Sequence, residues 1–371
     1  MELCSSPRII NLIGVPVDSL GGLQRTARDV HRAMELAGAR VETLSPPEWP
    51  RLRPALADAA LGHLWRWRRV SALARGRPAD LVIGHNGAGW GLPSSQARIN
   101  AWQNESGEYS RWTWPVWHPN RWKLRLLDTA VERAAARHSH NIAVSRQMAG
   151  NLRANAGVRV RGVIENAVDC QHFAPLGRGA GEAFRRRHGL PVDGPPLVLY
   201  AGRPVNYKGL WLLRDWLLQF CGRIELILAG PDHAPPGLDD LPGVHAIGRI
   251  DYPELPELYA AADFFALPSY HEGCSYAVIE AMACGVAPLI SHAGHGATIA
   301  RRSRALAAVM APLDQMERLT GVLDRWLRHP LEAVAMRRIA RRYALKYHSM
   351  ERFQRQWVQL ANDVLERHAR P

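Results

Sequence analysis

Short apolar runs alternate along the chain with stretches whose apolar residues recur every three or four positions. The runs predict buried strands and the longer stretches predict amphipathic helices. Strands are predicted at 8–15, 39–44, 80–84, 97–102, 141–145, 159–167, 196–202, 224–230, 244–248, 263–268 and 287–291. Helices are predicted at 22–37, 52–76, 121–137, 146–154, 209–221, 254–262, 275–284 and 313–328, with a helical tail over 347–371. This alternation predicts the α/β class, with parallel sheets covered by helices on both faces.

The stretch 173–196 is rich in Gly, Pro and Arg and is followed by a new strand, so it predicts a linker between two domains. We expect domains over 1–172 and 173–346, and a C-terminal helix over 347–371 that packs back on the first domain. Both domains are expected to be Rossmann-like, doubly wound and facing a central cleft. Ligands of such folds bind at the carboxyl ends of the strands.

Composition is that of a soluble globular protein. The chain has 371 residues, of which 47% are hydrophobic and 22% charged, and no apolar run reaches the length of a membrane span. The N-terminus lacks the long apolar core of a signal peptide. Five scattered cysteines indicate neither a disulfide framework nor a zinc site. These features predict a cytoplasmic location.

The charge balance is strongly basic. The formal net charge is +13 and the pI is about 10.1. It indicates either an anionic partner or simply a solvated basic surface. Because no recognition helix gathers the basic residues, a nucleic-acid-binding protein is the most distant hypothesis, and we expect no nucleic-acid partner.

Two cations follow the strand at 196–202. The segment GRPVNYKGL places Arg203 and Lys208 in the turn before a helix that begins near Gly209. Backbone N–H groups at a helix N-terminus together with two flexible cations form a pyrophosphate site. The alternative is that both are solvated surface cations.

Two glutamates follow the strand at 263–268. Glu272 lies in the loop PSYHEGCSY, and Glu280 lies in a helix that is apolar on nearly all sides and therefore predicted to be buried. Ser275 is the predicted N-cap, so the N–H groups of residues 273–275 would cradle an anion. A buried carboxylate needs a partner. Glu280 would hold a ribose diol, as acidic residues of nucleotide folds do, or would pair with an arginine.

The chain resembles the retaining glycosyltransferases of family 4, which have the two-Rossmann GT-B fold. The resemblance is carried by GGLQR (21–25), VIENAVDCQHFAP (163–175), GRPVNYKG (202–209) and the stretch 248–291, which contains the E-x7-E signature at Glu272 and Glu280. Within that family, GGLQR, ADLVIGHN (79–86) and RRYALKY are similar to the glucosyltransferases of the lipopolysaccharide heptose core.

The resemblance implies a hexosyltransferase that moves a sugar from a UDP- or GDP-linked donor with retention. The domain over 1–172 would bind the acceptor, and the domain over 173–346 would bind the donor. Arg203 and Lys208 would neutralise the diphosphate, Glu280 would bind the ribose, and Glu272 would meet the donor sugar. The remaining implied donor contacts are Gly21, Gly22, Arg249, Ile250, Gly273, Cys274 and Ser275.

The resemblance also implies that no metal and no other cofactor is needed, because cations and helix dipoles stabilise the leaving group. The sequence has no Asp-x-Asp motif. His292 and His295 lie three residues apart, but with no carboxylate nearby they are interpreted as loop residues or sugar contacts rather than metal ligands.

One family feature is missing. Many relatives place a donor-contacting histidine after the strand at 97–102, where this chain has Asn100, Gln103, Asn104 and Glu105. Glu105 is the favoured substitute, and the alternative is a loop carboxylate in water. His85 would either face the cleft as a catalytic residue or be a loop histidine whose hydrogen bonds are satisfied.

The acceptor is predicted from an aromatic and basic segment. Nine of the thirteen tryptophans lie between 49 and 122, beside many arginines. This composition predicts contact with an anionic membrane surface, whereas the alternative places Trp65, Trp102 and Trp112 in the core or acceptor pocket. The first functional hypothesis is therefore a glycosyltransferase acting on a lipid-linked, lipopolysaccharide or polysaccharide acceptor at the inner face of the membrane. The second is the same chemistry on a soluble small molecule.

Overall fold

The computed structural model describes residues 2–3, 6–16, 21–47 and 67–369. The chain divides into two compact units: unit 1 consists of Met1–Asn166 with Glu351–Pro371, and unit 2 consists of Ala167–Met350. The division falls six residues before the predicted one (166 against 172), and the C-terminal helix belongs with unit 1. Of the predicted helix over 52–76, residues 67–74 are helical, and residues 52–66 lie outside the described part of the chain.

Unit 1 contains a six-stranded parallel sheet. Its strands are β1 (Arg8–Leu12), β2 (Arg40–Leu44), β3 (Leu81–His85), β4 (Arg98–Trp102), β5 (His140–Ala143) and β6 (Gly162–Val163). They are arranged in the order β2-β1-β3-β4-β5-β6. Every residue of β3 and β4 is buried, as expected of strands that are covered on both faces.

Helices flank this sheet. They span Gly22–Glu35, Ser106–Thr113, Pro119–Lys123, Thr129–Ala136, Arg146–Ala156 and Met350–Ala369, with a π-helical turn at Leu124–Asp128. The helix Arg146–Ala156 has clear end signals: the Ser145 hydroxyl accepts a hydrogen bond from the Met148 N–H, and Gly157 ends the helix in the left-handed conformation (φ 65°).

Unit 2 contains a five-stranded parallel sheet. Its strands are β7 (Leu197–Ala201), β8 (Glu225–Ala229), β9 (Val244–Ala246), β10 (Phe264–Leu267) and β11 (Ala287–Ile290). Their order is β11-β10-β7-β8-β9. Each of the eleven strands predicted from apolar runs therefore coincides with an observed strand, and the predicted fold class is confirmed.

The helices of unit 2 outnumber the predicted ones. They span Arg178–Arg187, Leu210–Gln219, Leu255–Ala260, Tyr276–Ala283, Gly296–Arg302, Arg304–Ala307, Arg318–Arg328 and Pro330–Tyr347, with 3-10 turns at Asn206–Lys208 and Tyr252–Glu254. Arg341 ties the long helix Pro330–Tyr347 to its surroundings, because its guanidinium donates to the backbone carbonyls of Cys170, Phe173 and Ala283.

The prediction of a linker over 173–196 is wrong. The stretch contains the helix Arg178–Arg187, in which Phe184 is fully buried. Gly181 lets this helix approach its neighbour closely, since a Cβ there would lie 2.4 Å from the carbonyl oxygen of Ala260. Arg187 forms ion pairs with Glu254 and Glu257. The glycines and arginines that suggested a flexible connection instead serve packing and surface pairing.

None of the helices among the described residues is both long enough and apolar enough to cross a bilayer.

Candidate donor-binding and active site

The strand order of unit 2 identifies its ligand edge. β7 and β10 are neighbours although they are not consecutive, so the chain reverses direction across the sheet between them. Ligands of open parallel sheets bind at the carboxyl ends of the strands at such a switch point. The loop 202–209 leaves β7 and the loop 268–275 leaves β10. The structure thus brings together the two segments that carry the predicted diphosphate-binding residues.

Close backbone packing holds these two loops together. Gly209 has a left-handed backbone (φ 75°), and a Cβ there would lie 2.0 Å from the carbonyl oxygen of Pro268. The Tyr270 N–H also donates to the carbonyl oxygen of Tyr207 (2.7 Å). Only glycine fits at position 209 without displacing the neighbouring loop.

Lys208 and Glu272 form an ion pair across the two loops. The Lys208 Nζ lies 2.5 Å from the Glu272 Oε1, and the two side chains are 15% and 14% exposed. Partial burial makes such a pair stronger than one at the surface. The predicted diphosphate cation and the predicted sugar contact therefore lie side by side and hold each other in place.

Arg203 lies in the same loop, and its side chain is exposed. Its carbonyl oxygen accepts a hydrogen bond from the Tyr200 hydroxyl (2.5 Å). Burial and the charge of Glu272 raise the pKa of Tyr200, so this hydroxyl remains a proton donor. The arrangement fixes the backbone of Arg203 and leaves its guanidinium in solvent.

The backbone at 273–275 is shaped by the loop that follows β11. Gly294 approaches so closely that a Cβ there would lie 2.1 Å from the carbonyl oxygen of Glu272. The His295 N–H donates to the carbonyl oxygen of Gly273 (2.9 Å). Within the described part of the chain, the N–H groups of Gly273 and Ser275 donate no hydrogen bond. Ser275 is the N-cap residue of Tyr276–Ala283 as predicted, but its side chain makes no capping hydrogen bond.

Glu280 is buried in the helix Tyr276–Ala283, as the apolar sequence around it predicts. Its Oε2 accepts a hydrogen bond from the Tyr259 hydroxyl (2.7 Å). This contact accounts for one of its two carboxylate oxygens, and a hydroxyl rather than a guanidinium provides it. The ribose contact stays a prediction.

Arg249 and Ile250 follow β9. Arg249 is exposed, and its guanidinium lies 3.4 Å from the Asp251 carboxylate. Ile250 is half-buried against the core of unit 2. Nothing in these contacts tests their predicted proximity to the base.

Gly21 and Gly22 lie at the start of the first helix of unit 1. Gly21 is the N-cap of Gly22–Glu35, with extended backbone (φ 165°). A Cβ on Gly21 would lie 2.6 Å from the Gln24 Oε1, which belongs to a flexible side chain. Their predicted role at the phosphates stays a prediction.

His85 ends β3 and both of its ring nitrogens have partners. Its Nε2 lies 2.9 Å from the Asn11 Oδ1, and the Gln103 side-chain amide donates to its Nδ1 (3.2 Å). The proton is therefore on Nε2. Burial lowers the pKa of His85 to about 4, so the ring is neutral at pH 7. His85 is therefore a hydrogen-bonded histidine at the end of a strand, and its catalytic role stays a prediction.

Glu105 is buried, so its alternative interpretation as a water-exposed loop carboxylate is wrong. It is the N-cap of Ser106–Thr113: its Oε1 accepts from the Glu108 N–H (2.8 Å), and the Asn155 amide donates to its Oε2 (3.3 Å). Burial, the largest cause, raises its pKa. A helix cap satisfies the N–H groups of the first turn, which explains an acid at this position.

Sequence reasoning missed Glu132, a buried acid beside Glu105. Its Oε1 accepts from both the N–H and the hydroxyl of Ser106 (2.7 Å each). Burial, opposed by these hydrogen bonds, raises the pKa of Glu132 to about 8. Together with His85 and Glu105 it lines a cavity of about 200 Å³ at the carboxyl ends of β3 and β4. Unit 1 thus carries a pocket that contains a carboxyl group with a raised pKa.

A second buried cluster lies in unit 2. Potential metal-ligating atoms of Cys274, His295 and His348 lie within 4.8 Å of one another. Burial and the charges of His348 and Arg302 hold the pKa of His295 well below its ordinary value. His292, the other histidine considered from sequence, also has a lowered pKa, because of burial and Arg318. Sequence analysis assigned no metal ligand, and His348 was not considered.

The aromatic and basic segment exposes large apolar side chains. We call the exposed set Val116, Trp117, Trp122, Leu126 and Leu127 the apolar surface of unit 1. Trp117 is 78% exposed. Trp102, by contrast, is fully buried, and Trp112 donates to Glu108 (2.8 Å). Trp65 lies outside the described residues. The tryptophans therefore divide between core and surface.

Comparison with known proteins agrees with this arrangement. Residues 195–328 match the family model described as "Glycosyl transferases group 1". A 2-deoxystreptamine glucosyltransferase from Streptomyces kanamyceticus is 26% identical over 352 residues, which cover 87% of this chain and 86% of that protein.

Solved structures with similar folds cover nearly the whole chain. Sucrose-phosphate synthase from Thermosynechococcus elongatus has a TM-score of 0.77 at 19% identity, covering 98% of this chain and 100% of that one. Anabaena HepE in complex with UDP-glucose has a TM-score of 0.72 at 15% identity, covering 96% and 100%. WaaG, a glycosyltransferase involved in lipopolysaccharide biosynthesis, has a TM-score of 0.70 at 18% identity, covering 94% and 98%.

Proposed function

Because the chain is a glycosyltransferase with the GT-B fold, we propose that it transfers a hexose from UDP-hexose to a glycolipid or polysaccharide acceptor. Transfer retains the anomeric configuration, as in family 4, and requires no metal ion. Of the two candidate donors we favour the UDP-linked one over the GDP-linked one, because the structurally similar HepE was solved in complex with UDP-glucose.

The observation that carries the donor site is the convergence of positive groups at the switch point of unit 2. Lys208 is held by its ion pair with Glu272, and Arg203, which is exposed, lies five residues before Lys208 in the same loop. The N–H groups of Gly273 and Ser275 have no hydrogen-bond partner among the described residues. A diphosphate satisfies such amides and cations together. The carboxylate of Glu280, which the Tyr259 hydroxyl positions, binds the ribose, and Arg249 and Ile250 lie near the base.

The chemistry follows from this binding. The transition state at the anomeric carbon has oxocarbenium character, and negative charge develops on the departing diphosphate. Arg203, Lys208 and the helix N-terminus stabilise that charge, which is the work that a metal ion performs elsewhere. Glu272 orients Lys208 and contacts the donor sugar. The departing diphosphate takes the proton of the acceptor hydroxyl.

The apolar surface of unit 1 favours an acceptor at a membrane. Trp117 and Leu126 are 78% and 63% exposed, and the exposed Arg111 and Arg125 lie in the same segment. Indole rings and arginines together suit an anionic lipid interface. The enzyme would then act in the cytoplasm, peripherally on the inner face of the cell membrane.

A soluble small-molecule acceptor is the second candidate. It is favoured by the 26% identity to a 2-deoxystreptamine glucosyltransferase over most of both chains. Sedimentation with phosphatidylglycerol vesicles distinguishes the two candidates. A membrane-associated enzyme sediments with the vesicles, and Trp117→Ser with Leu126→Ser releases it, whereas the matched pair Trp211→Ser with Leu331→Ser in unit 2 does not. Absence of vesicle binding by the parent protein would favour the soluble acceptor.

A thermal-shift series tests the donor site. UDP at about 100 times its Kd stabilises the folded state by about 2.7 kcal/mol, which raises the Tm of a unit of this size by about 5–10 °C. UDP should raise the Tm more than GDP or ADP does. Glu280→Gln should reduce the shift, while Glu182→Gln, a half-buried acid of unit 2 that pairs with Arg178 and Arg186, should leave it unchanged. If no nucleotide raises the Tm, the proposed donor site is wrong.

A further inference from the structure

Unit 1 contains a basic cavity that the donor chemistry does not use. Its volume is about 590 Å³, which lies in the range of small-molecule sites. Three histidines and six arginines line it, and no carboxylate does so among the described residues. The arginines are Arg98, Arg133, Arg137, Arg159, Arg161 and Arg367.

The basic cavity lies at the amino ends of the strands. Arg98 begins β4, His140 begins β5, and Arg161 immediately precedes β6. The pocket that holds His85, Glu105 and Glu132 lies at the opposite edge of the same sheet. The basic cavity is therefore a separate site rather than an extension of that pocket.

Arg98 is the residue that most needs a counter-charge. It is only 6% exposed, yet its guanidinium makes one hydrogen bond, from Nη1 to the carbonyl oxygen of Gly89 (3.0 Å). Its buried Nε has no hydrogen-bond partner among the residues that the structure describes. Burial lowers the pKa of Arg98, which reflects the cost of a charge taken out of water. An anion in the basic cavity would offset that cost.

Four of the other five arginines also lack acidic partners among the described residues. The side chains of Arg137, Arg159 and Arg161 make no hydrogen bond or ion pair within the described part of the chain, and Arg133 donates to a backbone carbonyl, that of Ala156. In the lining, only Arg367 contacts an acid, Asp363, at 3.9 Å. Arginines of unit 2 provide the contrast, because Arg185 and Arg328 each pair closely with an aspartate.

The field in the basic cavity is positive. Burial is the largest cause of the lowered pKa of His140, and the charges of Arg161 and Arg367 add to it, while Asp363 opposes them. Nearby positive charges disfavour the protonated, positively charged form of His140 and so lower its pKa. The contribution of the two arginines therefore indicates an excess of positive charge in the basic cavity. A dianion or a larger anion would be attracted.

We propose that the basic cavity binds a soluble small anion that carries two or more phosphate groups. Guanidinium groups bind phosphate oxygens in bidentate geometry, and several of them converging on one cavity favour more than one phosphate. The volume accommodates a linked pair of phosphates with a sugar or nucleoside. This binding would not depend on the donor site of unit 2.

The test titrates the full-length protein with pyrophosphate and tripolyphosphate, with orthophosphate for comparison, by calorimetry at low and high salt. Arg159→Gln with Arg161→Gln should weaken tripolyphosphate binding about tenfold or more, because hydrogen bonds to charged groups are lost. Arg338→Gln with Arg342→Gln removes the same charge from the exposed face of the helix Pro330–Tyr347 in unit 2 and should leave binding unchanged. Lys208→Gln should also retain it, which separates this site from the donor site.

Three results would overturn the proposal. The first is that Arg159→Gln with Arg161→Gln binds tripolyphosphate as tightly as the parent. The second is that the control Arg338→Gln with Arg342→Gln weakens binding equally. The third is that the protein binds phosphatidylglycerol vesicles but none of the soluble anions. Arg137→Gln provides a second variant if the double variant unfolds, and it should weaken binding in the same direction.

Discussion

Replacing Gly209 by alanine tests how the two loops of the donor site are held together. Two costs are expected. A left-handed backbone costs a non-glycine residue about 1–2 kcal/mol, and residue 209 has φ 75°. The new Cβ would also lie 2.0 Å from the carbonyl oxygen of Pro268, whereas real Cβ contacts are essentially never shorter than 3.0 Å. The backbone must therefore move by about 1 Å. Overpacking of this kind costs about 1–3 kcal/mol.

Gly222 provides the matched control. Its backbone is also left-handed (φ 69°), but nothing lies within 4 Å of an added Cβ. Gly222→Ala should therefore show the conformational cost alone, about 1–2 kcal/mol. Gly209→Ala should cost about 2–5 kcal/mol in total, and each kcal/mol lowers the Tm of a unit of this size by about 2–4 °C.

The assay measures the Tm of both variants by calorimetry and then their affinity for UDP. Gly209→Ala should unfold at a lower temperature than Gly222→Ala and should bind UDP more weakly, because the loop carrying Lys208 moves away from the loop carrying Glu272. Equal Tm values for the two variants would refute the steric reasoning. Unchanged UDP affinity in Gly209→Ala would refute the link between loop packing and donor binding.

Two further predictions concern the proton on Glu132 and the absence of a metal requirement. Burial raises the pKa of Glu132 in the folded state from 4.5 to about 8. The unfolded chain therefore releases this proton at lower pH than the folded protein does, and the free energy of unfolding falls as the pH rises from about 4.5 to 8. Glu132→Gln should flatten that part of a plot of Tm against pH, and an unchanged slope would contradict the raised pKa. If the cations of unit 2 perform the electrostatic work, a chelator should leave the rate of hexose transfer unchanged, whereas a loss that added Mg²⁺ restores would show that a metal is needed.

The strands were predictable because buried parallel strands are written as continuous apolar runs. β10 illustrates this: its sequence is FFAL, and all four of its residues are buried. The helix Tyr276–Ala283 was predictable for the same reason. Its single acid, Glu280, stood out because nothing else in the segment is charged.

The helix Pro330–Tyr347 was missed because its buried face is made largely of small residues. Ala333, Ala340 and Ala344 are buried there, while arginines fill the positions between them. Alanine carries little hydrophobic signal, so the helical period is hidden. The helix Arg178–Arg187 was mistaken for a linker for a similar reason: one phenylalanine, Phe184, anchors a segment that otherwise looks polar.

Residues whose role depends on tertiary contact could not be found from sequence. Glu132 occurs in ERAAAR, which is typical of a surface helix, and only its contact with Ser106 reveals a buried acid. Cys274, His295 and His348 come from three separate segments that only the fold brings together. The loops carrying Lys208 and Glu272 were each recognised, but their ion pair was not.

The most direct test of the donor site is calorimetric titration of the protein with UDP. The parent should bind one UDP, and Arg203→Gln with Lys208→Gln should weaken binding about tenfold or more, because both cations contact the diphosphate. Arg338→Gln with Arg342→Gln, which removes the same charge elsewhere in unit 2, should bind UDP like the parent. If the Arg203 and Lys208 variant binds UDP with the affinity of the parent, the switch point of unit 2 does not hold the donor.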